Sequence, residues 1–316
     1  MEPIRRTVLI TGCSSGIGRS TALYLAQQGW HVLATARRLD AILDLAGPHI
    51  DLLELDVANE RSRVAAIEAA LARAGRIDAL VNNAGFSIGG PLERITLDEA
   101  RWQFETNVWG ALRMCQLVIP AMRAQGGGCI VNVTSVLGRL SFPFSGLYAS
   151  SKYALEALSD NLRWELYPWN IRVALVEPGF VKTRFGANAQ PFRARHENDP
   201  HYGEYLRRDQ EVRAPVQRGS APVAVAAVIE RALTDPDPAP RYPAGLDAHA
   251  AFLARGLTPD RLYDFLIRTF FGLNRKQLLA NGDAPRPAAA RGVFALALGV
   301  IAGLVGLQIL RSRKPS

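Results

Sequence analysis

Residues Thr7-Val8-Leu9-Ile10-Thr11-Gly12-Cys13-Ser14-Ser15-Gly16-Ile17-Gly18 decide the fold. A β-branched apolar run leads into a turn with glycines at 12, 16 and 18, and apolar residues then recur at helical spacing over 17–28. Glycines at these places allow a tight turn and a close approach of backbone to a diphosphate, and the N–H groups that open the following helix point at that charge. A glycine-rich turn alone says little. Set after a first strand and before a helix, it predicts a dinucleotide site.

The same rhythm continues outward. Strands are predicted at 7–11, 31–36, 51–57, 79–82, 129–134 and 171–177, each a nearly continuous apolar run, as in strands buried on both faces of a parallel sheet. Helical patterns lie between and after them, at 17–28, 60–74, 97–124, 147–167 and 221–234. This alternation predicts a doubly wound, Rossmann-type α/β sheet in a single catalytic domain over 1–285. A proline- and charge-rich stretch within 180–218, with a short helical candidate near 202–213, reads as a lid because ligands bind beyond the carboxyl ends of such strands. Thr258, Pro259 and Asp260 give the start signals of a further helix over 259–272, apolar on more than one face.

Of the 316 residues, 48% are hydrophobic and 21% charged, which excludes a disordered chain. The net charge of +8 is concentrated at one end, because residues 286–316 hold five basic side chains and no acid. The remainder is nearly balanced, so no nucleic-acid partner is expected. Three cysteines without a CxxC spacing predict neither a disulfide framework nor a metal site. The first residues lack a secretory pattern.

Gly292 to Leu310 is a 19-residue apolar stretch with Gln308 as its one polar side chain. As a helix it would be about 28 Å long, close to the thickness of a bilayer core. The expectation is a linker over 286–291, a transmembrane anchor over 292–310 and a basic tail over 311–316. The basic residues before the span weakly favour a catalytic domain on the cytoplasmic side. The apolar helix 259–272 is then expected against the bilayer, with contact to a second copy in a homodimer as the alternative.

Two features define the chemistry. At the end of the second strand, where an NAD site usually has an acid, the chain has Ala36-Arg37-Arg38. A guanidinium there is suited to a 2′-phosphate, which favours NADP, with NAD as the alternative. Tyr148 and Lys152 share a helix face, and a nearby ammonium favours a phenolate. Ser135 closes the preceding strand and can donate to a carbonyl or hydroxyl oxygen.

With these residues the chain resembles the short-chain dehydrogenase/reductase family. The shared motifs are TGCSSGIG, Asp56-Val57, Asn82-Asn83-Ala84-Gly85, Asn107, Ser135, Tyr148-Ala-Ser-Ser-Lys152 and Glu177-Pro178-Gly179. The segments Ala34-Thr35-Ala36-Arg37-Arg38 and Arg241 to Asp247, with the lid length, look most like its hydroxysteroid and retinol dehydrogenase branch. The resemblance implies that Tyr148 is the acid/base, Ser135 polarises the substrate oxygen, Lys152 holds the ribose and tunes Tyr148, and Asn107 supports a water relay. It also implies that Gly12, Ser14, Ser15, Ile17 and Gly18 line the diphosphate and Asp56 and Val57 the adenine. Asn83 would meet the adjoining ribose, and Val181 and Thr183 the nicotinamide amide. Trp109, Phe142, Phe144, Phe180 and Phe185 would suit an apolar substrate. The function expected is an NADP(H)-dependent oxidoreductase acting on an apolar alcohol, ketone or aldehyde, steroid-, retinoid- or lipid-like. The alternative is a non-catalytic nucleotide-sensing scaffold at a membrane.

Overall fold

A computed structural model describes residues 5–213 and 219–273. Seven parallel strands form one sheet in the order β3-β2-β1-β4-β5-β6-β7: β1 (Thr7–Ile10), β2 (His31–Ala36), β3 (Ile50–Glu54), β4 (Ala79–Asn82), β5 (Gly128–Val133), β6 (Ile171–Pro178) and β7 (Arg241–Ala244). The order reverses between β1 and β4, which opens a crevice at their carboxyl ends where ligands bind in such sheets.

Strand alternation divides the core. Val8 and Ile10 face one side with Ala22 and Leu25 of α1 (Gly16–Gln27) and Val225 and Ile229 of α8 (Pro222–Thr234). Leu9 faces the other, with Ala66 and Ile67 of α2 (Glu60–Ala74) and Met114 and Val118 of α4 (Ala111–Ala124). The helix expected over 97–124 is interrupted. It starts as α3 (Leu97–Phe104), whose Thr96 and Glu99 form a capping box, widens into a π-turn at Glu105–Gly110, and resumes as α4. The π-turn carries Asn107 inward and presses Gly110 on Val57, whose carbonyl oxygen would lie 2.5 Å from a Cβ at that glycine.

After α5 (Gly146–Leu166) and β6 come two further helices, α6 (Phe185–Ala194) and α7 (Gly203–Arg213). α9 (Leu246–Leu257) and α10 (Asp260–Phe270) follow β7. Thr258 is not the N-cap of α10. It ends α9, its hydroxyl donating to the Ala254 carbonyl at 2.6 Å, and Pro259 precedes α10.

The fold class is corrected at one point. Among the described residues no helix is long and apolar enough to cross a membrane. The longest, α5, has 21 residues but carries Lys152, Glu156, Asp160, Arg163 and Glu165, and the amphipathic α10 has only 11. The segments 286–291, 292–310 and 311–316 lie outside the described residues. The fold over the described residues is a Rossmann-type α/β domain with a C-terminal helical extension, and no transmembrane helix lies among them. The expected membrane partner and membrane localisation are withdrawn with that element, because apolar length permits a span without establishing one.

Candidate active site

The glycine turn is shaped by its backbone and held in place by one side chain, Asn83. Gly12 and Gly16 adopt φ +76° and +58°, a region that favours glycine. A Cβ on Gly18 would collide with the Gly12 carbonyl oxygen and with Asn83 Nδ2. Asn83 Nδ2 donates to the carbonyls of Thr11 at 2.9 Å and Gly12 at 3.2 Å, so the residue expected at a ribose also pins the turn. Ser15 precedes α1 without a side-chain cap, and the first turn of α1 has no acid. The free N–H groups of that helix end, beside exposed Ser14 and partly buried Ile17, suit a diphosphate. Thr183 lies over Gly16, its Cγ2 3.1 Å from where a Cβ would be, and Val181 bridges to Ser220 nearby. A dinucleotide cofactor therefore fits the residues present.

At the adenosine end, Asp56 Oδ1 accepts from the Ala58 N–H at 3.0 Å and fixes the loop that holds Val57. Arg37 is exposed and has no ion-pair or hydrogen-bond partner among the described residues. Arg38 is held by Asp40, Nε to Oδ1 at 3.0 Å, and Arg19 by Asp44 in the same bidentate manner, Nη1 to Oδ1 at 3.1 Å.

The second cluster lies at the ends of β4 and β5. Tyr148 is buried, with the Ser135 side chain near its phenol. Desolvation pushes that phenol above its ordinary value, and the Ser135 side chain works against the shift. Lys152 Nζ lies 5.8 Å from the Tyr148 ring centre and donates to the Val133 carbonyl at 2.9 Å. Burial pulls the ammonium down to about 8, and Glu156 opposes the shift. Ser135 Oγ accepts from the Leu137 N–H at 3.1 Å, which fixes its direction. Asn107 is brought to the same place, but its side chain is engaged by the fold. Nδ2 donates to the Phe86 carbonyl at 2.9 Å and Ser151 Oγ at 3.1 Å, and Oδ1 accepts from the Phe86 N–H at 3.0 Å.

The expected aromatic residues are only partly assembled. Phe185 packs on Tyr148 with ring centres 5.4 Å apart, and Phe142 meets Phe271 at 5.9 Å. Phe144 is buried against Tyr205 and Leu206 in the left-handed region at φ +60°, its carbonyl accepting from the Gly90 N–H at 3.0 Å. Trp109 pairs instead with Phe104, and Phe180 is 42% exposed. α6 and α7 are tied to each other by a buried pair, Arg193 and Asp209 at 2.8 Å, and Arg193 also donates to Ser145 Oγ at 3.3 Å. Arg193, Ser151 and Glu156 were not singled out from sequence. Each acts through a partner far along the chain, and no local spacing marks them.

Cys13, Cys115 and Cys129 are free and buried, and desolvation pushes their thiols up to about 12, about 12 and about 11. They are inert as nucleophiles.

The family model for short chain dehydrogenases matches residues 6–194. The 3-ketodihydrosphingosine reductase of Bacteroides thetaiotaomicron is 33% identical over 274 residues, which span 86% of this chain and 100% of that protein. Retinol dehydrogenase 8 of Bos taurus is 39% identical over 195 residues, 58% of this chain and 62% of its own length. The crystal structure of a short-chain dehydrogenase from Streptomyces avermitilis superposes with a TM-score of 0.72 at 36% identity, covering 83% of this chain and 95% of that one. This chain belongs to the short-chain dehydrogenase family, and it is an NAD(P)-dependent oxidoreductase acting on CH–OH groups.

Proposed function

We propose that the chain prefers NADP(H) and interconverts an apolar alcohol with its ketone or aldehyde, with Tyr148 as general acid/base. The observation that carries this reading is the meeting of Tyr148, Ser135 and Lys152 beside the crevice, with Phe185 on the phenol ring. When bound, the nicotinamide supplies or accepts the hydride.

The chain's own residues do the rest. Burial keeps the Tyr148 phenol protonated at neutral pH, which suits it to donate a proton to a carbonyl oxygen as the adjacent carbon is reduced. Ser135 places a hydroxyl beside that oxygen, its direction set by the Leu137 N–H. Lys152, mostly an ammonium at pH 7, stabilises the phenolate left behind and donates to ribose hydroxyls. Asn107 serves as a positioning residue, since its side chain ties Phe86 to Ser151, whose hydroxyl in turn donates to the Tyr148 carbonyl at 2.8 Å.

NADP is favoured because Arg37 is unengaged at the place where an NAD site would have an acid. Gly12, Ser14, Ser15, Ile17 and Gly18 take the diphosphate. Asp56 and Val57 take the adenine, Asn83 the adjoining ribose, and Val181 and Thr183 the amide. The relatives named for a long-chain ketone and for retinol agree with an apolar substrate, as do Phe142, Phe144 and Phe185 at the lid. The test is turnover of purified protein with NADPH and with NADH against long-chain and cyclic ketones. Faster NADPH consumption with the larger ketones is expected. Equal or greater rates with NADH, or no turnover of any ketone, would refute the reading.

A further inference from the structure

Tyr148, Lys152, Glu156 and Asp160 stand four residues apart and share one face of α5. Tyr148 and Lys152 belong to the candidate site, while Glu156 and Asp160 lead away from it. Glu156 is buried between three elements. Thr134 Oγ1 donates to its Oε1 at 2.7 Å, and Arg241 Nε of β7 donates to its Oε2 at 2.9 Å. Arg241 also reaches Asp160 at 2.6 Å, and Arg163 reaches Asp160 at 2.8 Å. The turn Val136–Gly138 closes over Glu156, whose Cγ would stand 3.0 Å from a Cβ on Gly138. Charge thus alternates from Lys152 through Glu156, Arg241 and Asp160 to Arg163.

Glu177 ends this arrangement from β6. It is wholly buried, Arg139 donates to its Oε1 at 3.3 Å, and its Oε2 has no partner among the described residues. A buried carboxylate with one oxygen unsatisfied is costly, and a neutral carboxyl group much less so. Burial first, and the neighbouring Glu156 second, push Glu177 up to about 7. Arg139 is half-exposed and stacks on Phe252 with 4.2 Å to the ring centre, so it neutralises Glu177 only in part.

We propose that Glu156 is a positioning residue for the reaction at Tyr148, its carboxylate holding Lys152 as an ammonium from one turn behind it, and that Glu177 is the proton-carrying partner that leaves the negative charge on Glu156. The role assigned to Lys152 rests on the proposed function. The geometry does not, because burial drives Lys152 to lose its proton and its described hydrogen-bond acceptor is a neutral carbonyl. Glu156 is the charge that opposes that loss. The charged or titratable groups facing the pair are Lys152, Tyr148 and Asp160 from α5, Arg241 from β7 and Arg139 from the turn after β5.

The experiment follows thermal unfolding of the full chain against pH, without substrate. Lys152 is lower in the folded state than in the unfolded one, so its own contribution to stability, read as the difference from Lys152→Met, rises with pH above about 8, while the opposite contribution of the three buried thiols cancels in that difference. In Glu156→Gln that rise should begin about one pH unit lower, the size of shift one nearby opposite charge produces. In the Lys152→Met background, adding Glu156→Gln should shift nothing. Glu156→Asp, which keeps the charge, should keep the onset. Infrared spectra of the unmodified chain should contain a protonated-carboxyl band that titrates near pH 7 and is lost in Glu177→Gln. An onset unmoved in Glu156→Gln, with an equal loss of melting temperature at every pH, would overturn the role of Glu156. A carboxyl band indifferent to Glu177→Gln would overturn that of Glu177. Because neither readout uses a substrate, a failure of ketone turnover would refute the proposed function alone.

Discussion

The glycine turn at 11–18 and the helix pair α6–α7 border the same crevice, but they are held in opposite ways. The turn is shaped by backbone, with positive φ at Gly12 and Gly16 and a close approach of Gly18 to the Gly12 carbonyl, and only Asn83 holds it through a side chain. The helix pair is fixed by side chains. Arg193 binds Asp209, Arg94 of the loop before α3 binds Asp199 at 2.8 Å, and Arg195 binds Glu99 at 2.5 Å. Trp102 on α3 packs on Phe192 with ring centres 6.1 Å apart. A backbone-built surface suits a constant group such as a diphosphate. A side-chain-built cover changes one contact at a time, which is how a shared fold acquires different substrates.

The sharpest way to break the comparison is Gly18→Ala. The added methyl meets backbone that has nowhere to move, so nucleotide affinity should fall by about a hundredfold or more, of the order that a 1 Å misplacement costs. Titration with NADPH measures it, and unchanged affinity would mean that the turn is adaptable. Arg193→Met should act on the other region. It removes the guanidinium from a buried carboxylate, a change that typically costs about 3–5 kcal/mol. The loss should appear as hydrogen exchange and proteolysis confined to 185–213, while NADPH affinity stays near that of the unmodified chain. Protection of α6 and α7 equal to that of the unmodified chain would place their stability elsewhere.

Two smaller effects sharpen the nucleotide side. Arg37→Asp should shift the ratio of kcat/KM for NADPH over NADH by about 10- to 100-fold toward NADH, through a lost charge-assisted contact and an added repulsion. A ratio that barely moves would assign the phosphate to another residue. Asp40→Asn frees Arg38 from its exposed ion pair, and should raise affinity for 2′,5′-ADP about two- to threefold while leaving 5′-AMP unchanged. An equal change for both nucleotides would remove Arg38 from phosphate recognition.

The contrast also explains what could be read in the sequence. The turn, β2, β4 and α2 obey local rules, and their limits were legible to within a residue or two. β7 was missed because it is four residues long with Pro243 inside, which only an edge strand tolerates. α6 was missed because Pro191 interrupts its pattern, and the π-turn at Glu105–Gly110 has no sequence signature. The membrane span was inferred from apolar length and flanking basic residues; 292–310 lie outside the described residues, and no helix among those is long and apolar enough to cross a membrane. Tyr148 and Lys152 were legible because they lie on one helix at fixed spacing. The influence of Glu156 on Glu177 was not, since the two come near each other only after α5 packs on β6.

Tyr148 supplies the proton in this account, at a place apart from the glycine turn that takes the diphosphate. The most direct test of that role is Tyr148→Phe, with NADPH affinity and steady-state ketone reduction measured on the same preparation. The account predicts that affinity stays within about twofold, because only a hydroxyl is removed, and that turnover falls by about 10²- to 10⁴-fold, the usual worth of a positioned general acid. Turnover within tenfold of the unmodified chain, at unchanged affinity, would contradict it.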